Sequence, residues 1–226
     1  MKTLREYLAS TDTRVCVVDK NLKLAYKIIK ILKVYGIPID IVVKVKTHEH
    51  FHTIKLVPSE EEYRVYGDLI MVPESKVDER IVIALGLALS TSRILSIGID
   101  PGRRTGFIIA VNSTLCLWKS FRNIEKLLKL LDKSIDLVTS SSEFSVKKII
   151  LRIGSSISKS TLKKVVSIVK KYYSKVDITV ELVNEAESAL KVNMVKASLD
   201  TKLSRDIISA CAISMCRGIP LEVKTE

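Results

Sequence analysis

Glutamine is absent from this 226-residue chain; tryptophan occurs once, proline five times and glycine eight times. Low-complexity stretches and internal repeats are missing as well, and with 47% hydrophobic residues the chain is too apolar for a disordered tail. The longest apolar candidate, residues 81–89 (IVIALGLAL), falls far short of the roughly 18 to 20 residues that a membrane helix needs. The opening MKTLREYLASTD carries acid and no apolar core, so it does not read as a signal peptide. Cysteine is sparse: Cys16, Cys116, Cys211 and Cys216 are scattered, mostly within apolar runs, and the one close pair has a poor zinc spacing. They read as reduced core residues of a cytoplasmic protein. Missing glutamine beside abundant lysine and isoleucine matches the bias of heat-adapted proteins.

The chain is long enough to fold unaided and too short for more than two ordinary domains. Its net charge is +12, and that charge is unevenly placed. Residues 1–90 hold 14 Lys and Arg against 12 Asp and Glu, a net of +2; residues 91–226 hold 23 against 13, a net of +10. A basic excess confined to one part points to a polyanionic partner, nucleic acid, with a well-solvated surface as the plainer explanation.

Hydrophobic patterning divides the chain near residues 90–93. In residues 1–92 we read a small α/β unit of unknown function: a strand at 14–18, a helix at 22–34 and a strand at 37–45. Residues 48–56 extend or pair with that last strand, and a strand at 68–72 and a helix at 77–89 follow. In residues 93–226 the order changes. Strands at 94–99, 106–111 and 114–121 form an antiparallel meander. A helix capped by Asn123 then runs to about 131, followed by a strand at 147–153, a helix at 161–173, a strand at 177–183 and a helix at about 201–216. Three meander strands and then alternating helix and strand make an α/β fold with a mixed sheet.

Three segments carry chemistry. In IGIDPGRRTG (residues 97–106) an apolar strand delivers Asp100 to its end before a Pro-Gly turn. Hard divalent cations want such oxygens, though never one alone. A plain hairpin with an incidental aspartate is the bland alternative. In VNEAESA (residues 183–189) Glu185 is the first acid past a strand and Glu187 lies two further on; acids favoured by a helix start explain them equally. In SRD (residues 204–206) Asp206 opens an apolar helix whose small residues at 209, 210 and 212 permit close packing on a sheet.

Together and in this order, the segments resemble the ribonuclease H-like superfamily, most closely its RuvC/YqgF branch, over about residues 94–220. IGIDPGRRTG looks like that branch's first-strand motif. RIGSS (residues 152–156) sits where YqgF-type proteins have a strand ending in a glycine-containing turn, VNEAES resembles their acid motif, and DIISACAI their final helix. The resemblance implies a ribonuclease H-like fold and a two-metal nuclease site, with Asp100 bridging Mg²⁺ or Mn²⁺ ions and Glu185 and Asp206 completing the shell. Arg103, Arg104, Lys202 and Arg205 lie near enough in sequence to meet phosphates, and helix 161–173 offers Lys163, Lys164, Lys170 and Lys171. Family substrates are Holliday junctions in the RuvC group and precursor ribosomal RNA for bacterial YqgF-type enzymes. The chain departs from the pattern in having no acid in RIGSSIS, Asn184 in place of aspartate and Ala186 in place of arginine.

Rival readings keep the same fold or leave it. A binding module would hold DNA or RNA through the basic face without turnover. Actin-like ATPases share a strand-Asp-x-Gly loop but need a second matching half, which is missing here. His48, His50 and His52 alternate onto one strand face; they read as an exposed polar strand or as a transition-metal site, although strand neighbours stand about 6 to 7 Å apart. Asp19 faintly suggests a receiver-like phosphoacceptor. Resolvases of this branch act as homodimers, and no dimer face is legible in the sequence.

Overall fold

The first turn of the chain is fixed by its own side chains. After β1 (Lys2–Thr3), the Thr3 hydroxyl accepts from the Glu6 amide at 3.2 Å and the Glu6 carboxylate accepts from the Thr3 amide at 2.6 Å, a reciprocal cap that starts α1 (Leu4–Ser10). There follow β2 (Arg14–Val17), α2 (Leu22–Val34), β3 (Ile39–Ile41), β4 (Thr53–Ser59), β5 (Arg64–Tyr66), β6 (Leu69–Pro73) and α3 (Arg80–Ala88). The computed structural model describes residues 1–17, 22–41, 53–59, 64–66, 69–73, 77–90, 93–140, 146–199 and 202–222. Strands β2 to β6 form a five-stranded sheet in the order β3-β2-β4-β6-β5, parallel except for β5. The expected pairing of residues 48–56 with strand 37–45 is corrected here. β2 lies between β3 and β4, because its buried Val15 and Val17 make it the strand best suited to the sheet interior. The three histidines and Asp19 lie outside the described residues.

The second part continues with β7 (Ile94–Asp100), β8 (Thr105–Val111), β9 (Thr114–Phe121), α4 (Ile124–Ser140), β10 (Lys148–Gly154), α5 (Lys159–Lys170), β11 (Asp177–Val183), α6 (Glu185–Ser198), α7 (Arg205–Met215) and β12 (Ile219–Pro220). The seven-stranded sheet has the order β1-β9-β8-β7-β10-β11-β12. β7, β8 and β9 are an antiparallel meander, closed between β8 and β9 by Asn112 and Ser113 at φ 45° and 68°, the signs a tight hairpin turn requires. β10 and β11 run parallel to β7. The architecture is therefore α/β with a mixed sheet, as expected. The helix capped by Asn123 runs to Ser140 rather than 131, and the last helix starts at Arg205 rather than 201. α6 entered the expected element order only as the plain alternative for Glu185 and Glu187, a helix start enriched in acids, and that helix is present.

Helices cover both sheet faces. Phe107, Ile109 and Val111 of β8 join α3, α4 and α5 on one side, whereas Ile108 and Ala110 join α6 and α7 on the other. α3 is buried from Arg80 to Gly86 and on to Leu87, apolar all round, because it packs on β5 and β6 as well as on β8 and β9. One core thus runs through both sheets. Tyr35, just past α2, meets Trp118 of β9 edge-on at 4.8 Å between ring centroids. β1 pairs with β9, so the expected boundary at residues 92/93 is crossed by the chain's first strand and by this shared core. The four cysteines are buried. No helix among the described residues is long and apolar enough to cross a membrane.

α7 lies closest to the sheet, and it is held at both ends. A Cβ at Gly98 would stand 2.2 Å from the Ala210 carbonyl oxygen, and one at Gly106 2.0 Å from that of Asp206. At the far end, Arg152 of β10 pairs with Glu181 of β11 at 2.8 Å and donates to the Ser214 carbonyl at 2.5 Å, a cation at the helix C-terminus. Gly98→Ala is expected to cost about 2–3 kcal/mol in urea unfolding, since helix backbone must move. Gly102→Ala, whose Cβ meets nothing nearer than 3.4 Å, is expected to stay within about 0.5 kcal/mol of the parent.

Candidate active site

β7, β9, β10 and β11 all point the same way, so their carboxyl ends share one edge of the sheet. Crevices at that edge are where open α/β sheets hold ligands. Asp100 ends β7 there. It is paired with Gly106 of β8, which is paired in turn with Ser120 of β9. Directly paired residues point to the same face, and here it is the face under α7. The missing side chain at Gly106 admits the first turn of α7, setting Asp206 over the row between Asp100 and Ser120. The Ser120 hydroxyl donates to Asp206 Oδ2 at 2.9 Å. One turn further along α7, Ser209 lies near enough to Asp100 to draw its proton affinity down.

The third acid arrives from the other side. β11 ends at Val183, and Asn184 caps α6 by accepting from the Ala186 amide at 3.0 Å, which places Glu185 as the first helical residue. Glu185 Oε1 accepts from the Ser156 amide at 3.0 Å, just past β10. Gly154 leaves the space: a Cβ there would lie 2.8 Å from Pro101 Cδ and 3.0 Å from Glu185 Oε1.

Asp100, Glu185 and Asp206 are all half-buried and lie within one electrostatic neighbourhood. Burial first, then the charges of Glu185 and Asp206, push the Asp100 carboxyl up to about 6, while Arg205 and Ser209 pull the other way. Carboxylates that repel one another around a desolvated centre form a cation-seeking arrangement. Their oxygens suit a hard divalent ion such as Mg²⁺ or Mn²⁺ in kind. Among the described residues, however, no three His, Cys, Asp or Glu side chains stand close enough to form a ready cage. The donor set fits the ion by chemistry and charge.

Arg103 and Arg104 are exposed in the turn after Asp100, Lys202 and Arg205 are exposed ahead of Asp206, and Arg205 is near enough to act on the charge of Asp100. The α5 lysines belong elsewhere, on the opposite face of the sheet. Lys164 pairs with Glu125 at 2.5 Å and Lys171 with Asp132 at 3.3 Å, tying α5 to α4, while Lys163 and Lys170 are exposed. Glu187 is exposed in the first turn of α6. Sequence reading missed Ser120 and Ser209, the hydroxyls beside the two aspartates. Alternation along WKSF and the i, i+3 spacing of Asp206 and Ser209 were the available signals.

No protein-family model matches the chain, and no curated protein matches it. Among solved structures it is similar to a chain in "Crystal structure of Aa-Ago with externally-bound siRNA", at 12% identity and a TM-score of 0.26. That alignment covers 75% of this chain and 34% of the other. A likeness so slight carries no argument, and the site rests on its own geometry.

The raised Asp100 pKa has a definite sign for stability. The folded state holds this proton more tightly than the unfolded chain, so stability falls as pH rises from about 4 to about 6. Asp100→Asn removes that penalty. We expect it to be more stable than the parent by on the order of 1–2 kcal/mol at pH 7, allowing for solvent screening. The gain should vanish by about pH 4 when both proteins are unfolded in urea across that range.

Proposed function

We propose that this chain is a divalent-metal-dependent nuclease on a ribonuclease H-like, RuvC/YqgF-type framework, hydrolysing phosphodiester bonds in structured nucleic acid. The observation that carries the reading is the meeting of Asp100, Glu185 and Asp206 at one carboxyl edge under a close-packed α7. The strand order supports it: an antiparallel meander whose first strand, β7, is flanked on its other side by parallel β10 and then β11. The exposed Arg103, Arg104, Lys202 and Arg205 suit a phosphate backbone. The substrate classes the resemblance offers are Holliday-junction-like DNA and precursor RNA.

Mg²⁺ or Mn²⁺ bound by the three carboxylates would supply an activated water and charge stabilisation at the leaving oxygen. The protein's part is to hold its donors ready. The Ser156 amide fixes one oxygen of Glu185 and the Ser120 hydroxyl fixes one of Asp206. In each case the other oxygen has no hydrogen bond among the described residues and is available to the centre. Asp100 is placed by the end of β7. Arg205 offsets part of the negative charge and lets a phosphate approach.

A second reading, a nucleic-acid-binding domain without turnover, is favoured by Gly154–Ser156 and Ala186, which lack the family's acid and arginine, and by the absence of a closed cage. A labelled panel of four-way junction, duplex DNA, single-stranded RNA and structured RNA, incubated with Mn²⁺, separates the two. We expect one member to be cut. Ser120→Ala, which only loosens Asp206, should slow cutting about ten- to a hundredfold, and Asp100→Asn should slow it further. Binding of the panel with no cutting by any of the proteins would favour the second reading.

A further inference from the structure

A groove of about 480 Å³ opens beside the acid centre, between the end of β9, the first half of α4 and the residues leading into α3. Its walls carry Lys119, Arg122, Lys126, Lys129 and Lys133, against only Asp78 and Glu79. The two acids are already engaged. Glu79 pairs with Lys119, and Asp78 with Arg80 at 2.8 Å and with Lys133 at 3.8 Å. Burial alone would raise the Glu79 carboxyl, but Lys119, a backbone hydrogen bond and Lys133 together outweigh it and hold the group below its ordinary value. No ion pair among the described residues engages Arg122, Lys126 or Lys129, and all three are exposed.

The spacing of these cations is regular. Lys126, Lys129 and Lys133 are three and four apart, which puts them along one side of α4, and Arg122 lies just ahead of the helix. From Lys126 to Lys133 the helix rises about 10 Å, the axial length of about three steps of a nucleic-acid strand. A neighbouring side of α4 is taken up with α5 through Glu125 and Asp132. Ser120 lines the groove and its hydroxyl bonds Asp206, so the groove and the acid centre lie on opposite faces of the sheet and meet at the carboxyl end of β9.

We infer that this groove binds the sugar-phosphate backbone of nucleic acid and leads a strand to the carboxylates. A concave channel with unpaired cations in single file fits a linear polyanion, whereas a flat bilayer cannot enter it. The direction of travel towards Asp206 rests on the nuclease reading; the binding does not.

Anisotropy titrations of labelled single-stranded and duplex oligonucleotides, about 20 nucleotides long, test this with the full chain in EDTA, where cutting plays no part. The groove variant is Arg122→Ala/Lys126→Ala/Lys129→Ala. A control of equal charge change is Lys27→Ala/Lys30→Ala/Lys33→Ala on α2, all exposed. The groove variant should bind at least tenfold more weakly, with the slope of log affinity against log salt reduced by about two to three. The control should change less than twofold, and thermal melts check that both variants fold. Equal losses in the two variants, no loss in the groove variant, or no binding by the parent would overturn the inference. Groove-dependent binding without cutting in Mn²⁺ would defeat the nuclease reading and leave the groove intact, whereas cutting with unchanged binding in the groove variant would do the reverse.

Discussion

Where α7 crosses β7 and β8, two glycines stand in place of side chains, and backbone meets backbone. Any Cβ at Gly98 or Gly106 would fall within 2.2 Å of a helix carbonyl oxygen. This contact sets the height of α7 above the sheet, and hence the position of Asp206 relative to Asp100. Ala210 on the helix completes the small-residue surface, while the Arg152–Glu181 pair secures the helix's far end through the Ser214 carbonyl. Removing one partner of such a pair is more costly than the pair's net worth, because a poorly solvated charge is left behind. The acid centre is therefore the product of close packing rather than of a loop.

That packing has an electrostatic consequence. Burial at this edge, and then the charges of Glu185 and Asp206, raise the proton affinity of Asp100. Groups placed against their own stability are typical of functional sites. Positive charge nearby does not cancel this effect, since Arg103, Arg104, Lys202 and Arg205 are exposed and screened. Cations in water beside carboxylates half out of it are what the proposed nuclease would need for an anionic polymer outside and a small cation within.

The meander and the leading aspartate were legible because the short apolar strands β7 to β9 are separated by turn residues at close spacing, a pattern local in sequence. α3 was legible as a core helix for the same reason, although its second partner, the seven-stranded sheet, was not. α6 was legible only as a helix start because its only buried side chains are Ser188 and Val195, while Leu190 and Met194 are exposed; without an apolar face it has no period to read. β1 escaped because a two-residue strand is defined wholly by its partner, β9. The lysines of α5 stood out as a basic run, yet Lys164 and Lys171 serve to join two helices. The basic side of α4 was hidden by the acids interleaved with it, and only the fold separates the two faces. Charge counts show excess; topology shows where it is available.

The claim on which the account turns is that Asp100, Glu185 and Asp206 together hold a divalent cation. Titration of the full chain with Mn²⁺, followed by the loss of the free-ion paramagnetic resonance signal, tests it without any substrate. The account predicts saturable binding that weakens at least tenfold in Asp206→Asn and in Glu185→Gln alike, with both variants folded. Binding that is absent from the parent chain, or that survives both substitutions unchanged, would contradict it.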